Sequence, residues 1–449
     1  MPASSTATAS LTGLQAAYAA LRARDLKLDL TRGKPSIAQL DLSDGLLDLP
    51  LSADHTSADG VDVRNYGGTD GLPELRAIYS GLLGIPVPQL LALGNASLNV
   101  MHDVIVHALL HGVPGNTVPW RDEQISFLCP VPGYDRHFAI TEALGIRMIP
   151  LPYLEGGRLD LAAIGEHLTN PSVRGMWLVP MYANPGGQTV TPEEADALVS
   201  LPSAAPDFRI FWDNAYAVHH LTDAEPAAVD VLGLAAAADH PDRPLVFAST
   251  SKVTLAGAGV SFLGASAANI DWYRLHAGVQ TIGPDKVNQL RHARFLGSAE
   301  GVRSHMRKHR ALLEPKFALV EQLLTARLTG HGNWTAPLGG YFVTLTAPAG
   351  TATRAVDLAK AAGIAVTPAG AAFPYGEDPD DAVIRIAPSF PSLDDLEAAI
   401  SGLCDCVLLA EAELAAAGQS AQTQSATYTG LPVGAPIAGE AKDTTARLP

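Results

Sequence analysis

Leu245-Val246-Phe247-Ala248-Ser249-Thr250-Ser251-Lys252 is the stretch on which the reading of this chain turns, an apolar run ending in small hydroxyl residues and a lysine. The run does not alternate and is bounded by polar residues, as strands buried on both faces of a sheet are. A lysine at the end of such a strand is costly unless it is used or paired. Desolvation lowers its pKa and frees the amine to attack a carbonyl. Ser249-x-x-Lys252 is weak on its own, because solvated loop lysines and serine acyl-transferring enzymes share the spacing.

Working outward, further short apolar runs precede it: Ile125–Cys129, Met148–Leu151, Met176–Pro180 and Ile210–Trp212. Helical patterns lie between them, as in Leu98–Leu110, with apolar residues at 98, 101, 104, 105, 108 and 109. Strands alternating with helices predict an α/β fold with a mostly parallel sheet flanked by helices. After about Phe295 the texture shifts to a basic-rich helix, Arg303–Leu328, then strand-like Tyr341–Leu345, Ile364–Thr367 and Val383–Ile386. This predicts a smaller α+β unit, which the N-terminal helix Leu11–Arg24 joins.

The 449 residues carry 46 acidic and 30 basic side chains, a net −16, which argues against nucleic acid or an anionic membrane as the main partner. Three cysteines, Cys129, Cys404 and Cys406, give neither a disulfide framework nor a metal-ligand cluster. No metal is expected. The N-terminus lacks a signal-peptide pattern and no apolar run reaches the roughly 20 residues of a span, so a cytoplasmic location is expected. Residues 1–10 and the Ala/Ser/Thr/Gln-rich stretch 416–449 read as disordered ends.

Two upstream segments raise Lys252 above the alternatives. Phe211-Trp212-Asp213-Asn214-Ala215-Tyr216 closes an apolar run with an aspartate, and Pro180-Met181-Tyr182-Ala183-Asn184-Pro185-Gly186-Gly187 is a turn after another. Both polar ends fall at the carboxyl edge of a parallel sheet, where ligands bind in open α/β folds. The spacings, 29 residues (213 − 184) and 39 (252 − 213), each accommodate a crossover. An isolated Asp213 would read as a helix N-cap.

Asn-Pro-x-Gly, Asp-x-Ala-Tyr and Ser-x-x-Lys in this order resemble the fold-type I pyridoxal-5′-phosphate (PLP) aminotransferases of class I, over about Gly33 to Ser389. Wording such as GNASLN, PVPGYDRH and STSKVTLAGAGVSFLG is most similar to the aspartate aminotransferase subgroup labelled MocR-like or class Ic. The resemblance implies PLP as a Schiff base on Lys252, Asp213 against the pyridinium nitrogen, and Asn184 and Tyr216 at the phenolic oxygen. It implies Tyr134 stacked on the ring. It also implies a phosphate cradle of Asn95, Ala96, Ser97, Ser249 and Ser251, with Tyr66 reaching in from the second subunit of a homodimer with shared sites. Free N–H groups at the start of the 98–110 helix suit such an anion. One departure stands out: Val253 to Leu263 contains no cation, where many relatives keep a phosphate-binding arginine.

On the substrate side, Arg385 sits inside the strand-like run Val383–Ala387. A strand arginine ordinarily points to solvent; in the family the matching residue forks onto the substrate α-carboxylate. Gly33 matches the glycine whose backbone lies over the substrate. A dicarboxylic substrate needs a second cation, with Arg32, Lys34, Lys286 and Arg291 as candidates and Lys286 equally readable as a helix start. The implied organisation is an N-terminal part of the small domain (11–49), a large PLP-binding domain (50–295) and a small C-terminal domain (296–415). The implied activity is transfer of an amino group between an L-amino acid, aspartate first, and a 2-oxo acid, 2-oxoglutarate first. A transaminase for another amino acid and a PLP lyase or decarboxylase on the same scaffold stand as alternatives.

Overall fold

The apolar runs pair side by side. The structure, a computed structural model, describes residues 10–31, 33–49 and 54–428, the last ten of these by backbone alone. Its strands are β1 (Leu28–Asp29), β2 (Leu90–Ala92), β3 (Ser126–Val131), β4 (Arg147–Pro152), β5 (Val173–Leu178), β6 (Arg209–Asp213), β7 (Pro244–Ser249), β8 (Ser261–Ala265), β9 (Asn333–Trp334), β10 (Val343–Thr346), β11 (Ile364–Ala365) and β12 (Val383–Ile386). Seven form the central sheet in the order β2-β8-β7-β6-β5-β3-β4. Neighbours from β4 to β7 pair parallel; β8 runs antiparallel to both β7 and β2.

Both faces of that sheet are covered, which is why its strands do not alternate in polarity. Leu128, Met176, Ile210, Trp212 and Val246 point into one apolar core, and Phe127, Trp177, Phe211, Leu245 and Phe247 into another. Every strand predicted for this sheet is present, displaced by one to three residues at its ends. β2, only three residues long, and β8, with serine, glycine and alanine at three of its five positions, escaped the pattern reading. Gly264 of β8 has no room for a side chain, since a Cβ there would lie 2.4 Å from Ile85 Cδ1.

A third core gathers β10, β12 and the helices Ala299–Leu328, Ala352–Ala361 and Leu393–Tyr428. The N-terminal helix Leu11–Arg22 packs here: Leu21 is buried in this core and Tyr18 Oη donates to Leu358 O at 3.0 Å. Val179, Met181, Ala183 and Tyr216, from the carboxyl edge of the central sheet, belong to this same core. The two units therefore meet where the parallel strands end. The C-terminal stretch departs from expectation: the helix that begins at Leu393 continues to Tyr428, so residues 416–428 are helical rather than unstructured. Its run of alanine and glutamine is compatible with helix once nucleated on the preceding turns. Residues 1–9 and 429–449, also read as disordered ends, lie outside the described residues.

Candidate active site

At the junction of the two units lies a cavity of about 450 Å³ lined by Gly33, Tyr134, Asn184, Tyr216, Lys252 and Arg385, among others. Six residues that sequence reasoning had drawn from six separate segments are thus brought to one space.

Three of them follow directly from strand ends. Tyr134 comes just after β3, Asn184 after β5, and Lys252 in the turn after β7, whose last residue is Ser249. Asn184 is buried in a turn closed by Ala183 N to Gln188 O (2.9 Å) and Gly187 N to Ala183 O (2.7 Å), with Gly187 at φ +75°. That backbone region is open to glycine and costly for other residues.

Asp213 ends β6 and is 2% exposed. Its Oδ2 lies 3.0 Å from His137 Nε2, which donates because the carboxylate only accepts; its Oδ1 is buried with no hydrogen-bond partner among the described residues. His137 stacks on Trp177 at 4.2 Å between centroids and 8° between planes, so its ring is fixed. Burial pushes the Lys252 amine below the usual lysine range, against the opposing pull of Asp213. The Tyr216 and Tyr134 phenols are pushed up, mainly by burial and then by neighbouring acidic groups. At neutral pH both are protonated donors. Lys252 Nζ lies 5.1 Å from the Tyr216 ring centroid.

Arg385 stands in the middle of β12 and is 8% exposed, so it does not point to solvent. Thr367 Oγ1 accepts from its Nε (3.3 Å) and Nη2 (3.2 Å), while Nη1 donates to Asp135 Oδ1 (3.0 Å) and to Asn184 Oδ1 (3.4 Å). Phe342 lies beneath the guanidinium, 5.2 Å from Cζ to ring centroid. Gly33 backs onto that ring: a Cβ at 33 would come within 2.4 Å of Phe342 Cζ.

The residues of the expected phosphate cradle lie together beside the cavity without lining it. Ala96 precedes the helix Ser97–His111 and offers no side-chain cap, leaving the first N–H groups of that helix unclaimed by a capping residue. Gly94 O accepts from Ser261 N (2.7 Å) and Ser261 Oγ (2.8 Å). At Gly259 a Cβ would lie 2.9 Å from Asn95 O and 3.2 Å from Ser251 Oγ, so the Asn95 and Ser251 turns touch there. Ser249 Oγ accepts from Ser251 N at 3.4 Å.

Asp213, Tyr66 and Lys286, like the cradle residues, are not among the residues lining this cavity. Tyr66 is 81% exposed. Lys286 starts the helix Lys286–Leu296, is buried, and donates from Nζ to Gly67 O at 2.5 Å; it is not among the cavity's lining residues. Of the other cations considered for a distal carboxylate, Lys34 lines the cavity with Nζ 3.8 Å from the Phe390 ring, and Arg32 lies outside the described residues. Arg291 is not among the lining residues. Sequence reasoning passed over His137, Asp135 and Arg136, although all three follow Tyr134 at the carboxyl end of a sheet strand. A polar Asp-Arg-His run at that edge is the signal that marks them.

The chain belongs to a family of transaminases. The aspartate amino-transferase family model matches residues 2–420. An aspartate aminotransferase of Corynebacterium glutamicum is 53% identical over 396 residues, covering 88% of this chain and 91% of the relative. A Mycolicibacterium smegmatis protein is 59% identical over 402 residues, covering 88% of this chain and 94% of the relative. The crystal structure of an aspartate transaminase from C. glutamicum superposes with a TM-score of 0.88 at 50% identity, over 91% of this chain and 99% of that one.

Proposed function

We propose that this transaminase holds PLP on Lys252 and moves an amino group between L-aspartate and 2-oxoglutarate. The observation that carries the cofactor reading is Asp213: a buried carboxylate oxygen with no partner among the described residues, its other oxygen fixed by His137, beside a desolvated lysine. A buried acceptor left unpaired is costly, and a protonated pyridine nitrogen is the donor that relieves it. When bound there, PLP supplies an electron sink for the substrate Cα.

The chain's own residues do the rest. Lys252 Nζ, its affinity for a proton lowered by burial, takes and returns the proton at substrate Cα. Tyr216 and Asn184 donate toward the ring substituent beside Lys252, and Tyr134 covers the ring. Arg385 receives the α-carboxylate in a two-pronged contact, its guanidinium already oriented by Thr367 and Phe342. Arg136 is exposed, lines the cavity and has no ion partner among the described residues, so it and Lys34 supply the positive charge that a second carboxylate requires. The loop 94–97, Ser249 and Ser251 receive the phosphate through hydroxyls and backbone amides, which answers the lack of a cation in 253–263.

The same reading includes a second copy of the chain. Leu275, Val279 and Ile282 are 69%, 91% and 63% exposed, an apolar surface that a monomer seldom leaves to water. It adjoins a cavity of about 260 Å³ lined by Leu91, Ala96, Tyr273 and Ala277, next to the expected cradle. A homodimer packed on this face brings the partner's copy of the exposed Tyr66 loop toward the phosphate.

The test is spectroscopic and chemical. The purified protein should show a visible band that borohydride abolishes, with the reduced adduct mapped to Lys252 and absent from Lys252→Ala. An adduct that persists in Lys252→Ala overturns the cofactor reading. A donor–acceptor screen in which aspartate is not among the best donors overturns the substrate reading alone.

A further inference from the structure

The turn that carries Lys252 has buried backbone carbonyls facing the protein interior, and such groups need donors. None comes from a cation within 253–263. They are met by histidines arriving from separate elements. His219, 3% exposed and in the segment after β6, has Nε2 at 3.3 Å from Lys252 O. His305, in the helix Ala299–Leu328, has Nε2 at 2.8 Å from Val253 O. Both carbonyls only accept, so each histidine carries its proton on Nε2.

A third histidine works through side chains. His292 donates from Nδ1 to Asn288 O at 2.9 Å, which leaves Nε2 to accept from Thr254 Oγ1 at 2.8 Å, with Thr250 Oγ1 at 3.3 Å. Thr250 Oγ1 in turn accepts from Val260 N at 2.9 Å, closing the far end of the loop.

The second of these histidines is itself held. His309 accepts at Nδ1 from Gln39 Nε2 at 3.1 Å, so its proton also lies on Nε2 and turns, like that of His305, to the Val253 carbonyl, while its ring packs edge-on against that of His305. Gln39 cannot turn over, because its Oε1 accepts from Ser36 N at 3.1 Å; its amide also donates to Tyr341 Oη at 2.9 Å. The network therefore runs from the Lys252 loop to the segment that places Gly33 and Lys34 and to the residue before Phe342. Burial pushes His219, His292, His305 and His309 below the usual histidine range, which favours the neutral ring, and the accepting nitrogens of His292 and His309 require it.

We propose that His219, His292 and His305 are positioning residues for Lys252: by pinning the carbonyls of 252 and 253 and the hydroxyls of 250 and 254, they set where Nζ stands in the cavity. The proposal rests on the reading of Lys252 as the cofactor-bearing residue, and the role of the histidines is to hold its main chain, not to touch substrate.

The test compares His219→Leu and His305→Leu with His305→Gln, which returns an amide N–H near the Nε2 position. The protein is stripped of cofactor and PLP is added; the rate of forming a borohydride-reducible adduct at Lys252 is followed, and kcat and KM are then measured on the reloaded enzyme. Misplacing a reacting group by an ångström costs up to roughly 100-fold. The leucine variants should form the adduct about tenfold more slowly and lose kcat while KM for the amino donor stays within about twofold. His305→Gln should remain within about threefold of wild type. Leucine variants that form the adduct at the wild-type rate overturn the proposal. So does a folded His305→Gln as slow as His305→Leu, which would mean the ring matters only for packing. Should a leucine variant fail to fold, His305→Asn, too short to reach Val253 O, takes its place under the same criteria. A wild-type protein that forms no adduct at Lys252 refutes the cofactor reading instead, a result distinct from any of these.

Discussion

Replacing Arg385 by lysine removes geometry while keeping charge. In the protein its guanidinium is braced by Thr367 Oγ1 at 3.3 and 3.2 Å, by Asp135 Oδ1 at 3.0 Å and by the Phe342 ring. A lysine ammonium reaches one of these partners and cannot present two parallel N–H groups to a carboxylate. The change from a forked to a single contact forfeits one charge-assisted hydrogen bond, about 1.5–3 kcal/mol. At about 1.4 kcal/mol per factor of ten, kcat/KM for aspartate should fall roughly 10- to 100-fold. The assay is steady-state transamination with aspartate and 2-oxoglutarate, read through a coupled reduction of the oxaloacetate formed. The PLP band should persist, because Arg385 sits on the substrate side of the cavity. A kcat/KM within about threefold of wild type would refute the α-carboxylate role, because so small a loss is less than one such bond is worth.

Asp213→Ala should retain part of its PLP yet lose at least about 100-fold in kcat, the scale of removing one member of a buried polar pair; near-normal turnover would refute its place at the ring nitrogen. Arg136→Ala should raise KM for aspartate about tenfold while leaving a monocarboxylic donor such as alanine nearly unchanged, and equal effects on both donors would show that it does not meet the second carboxylate. The buried His309 has its pKa pushed down to about 4, chiefly by burial and then by His305. Because the folded value lies below the unfolded 6.5, the stability it carries is complete above pH 6.5 and is lost as pH falls toward 4, about 3 kcal/mol across that window. Urea midpoints measured from pH 7 to 4.5 should decline more shallowly in His309→Gln than in wild type, and parallel curves would count against a neutral buried His309.

The parallel strands were legible because burial on two faces leaves unbroken apolar runs, and the site was legible because its polar residues end those runs. Lys252, Asp213 and Asn184 each follow such a run, so strand order alone puts them on one edge. Arg385 was harder: nothing in Val383–Ala387 tells an inward from an outward arginine, and only β12 pairing with β10 turns it toward Phe342. Lys286 shows the converse. Its spacing from Lys252 suggested a distal cation, but Asp285 caps the helix it starts, with Oδ1 accepting from Asn288 N at 3.0 Å, and its Nζ is turned to the Gly67 carbonyl. The histidines around the lysine loop left no mark in the sequence, since they come from 219, 292, 305 and 309 and share no motif.

If Arg385 takes the substrate α-carboxylate as proposed, its ion pair with Asp135 gives the entry of substrate a particular character. Asp135 is 30% exposed at its side chain, so its carboxylate has water to turn toward when it lets go. Binding is then an exchange, one carboxylate leaving the guanidinium as another arrives, and the arginine is never left bare in an empty site. Adventitious anions would then compete with a tethered carboxylate already present at high local concentration, while an amino acid, whose amine also enters the site, would bring a second grip that a simple anion lacks. On that role Asp135 would act as an internal competitor, setting a threshold of affinity that single-point ligands do not cross.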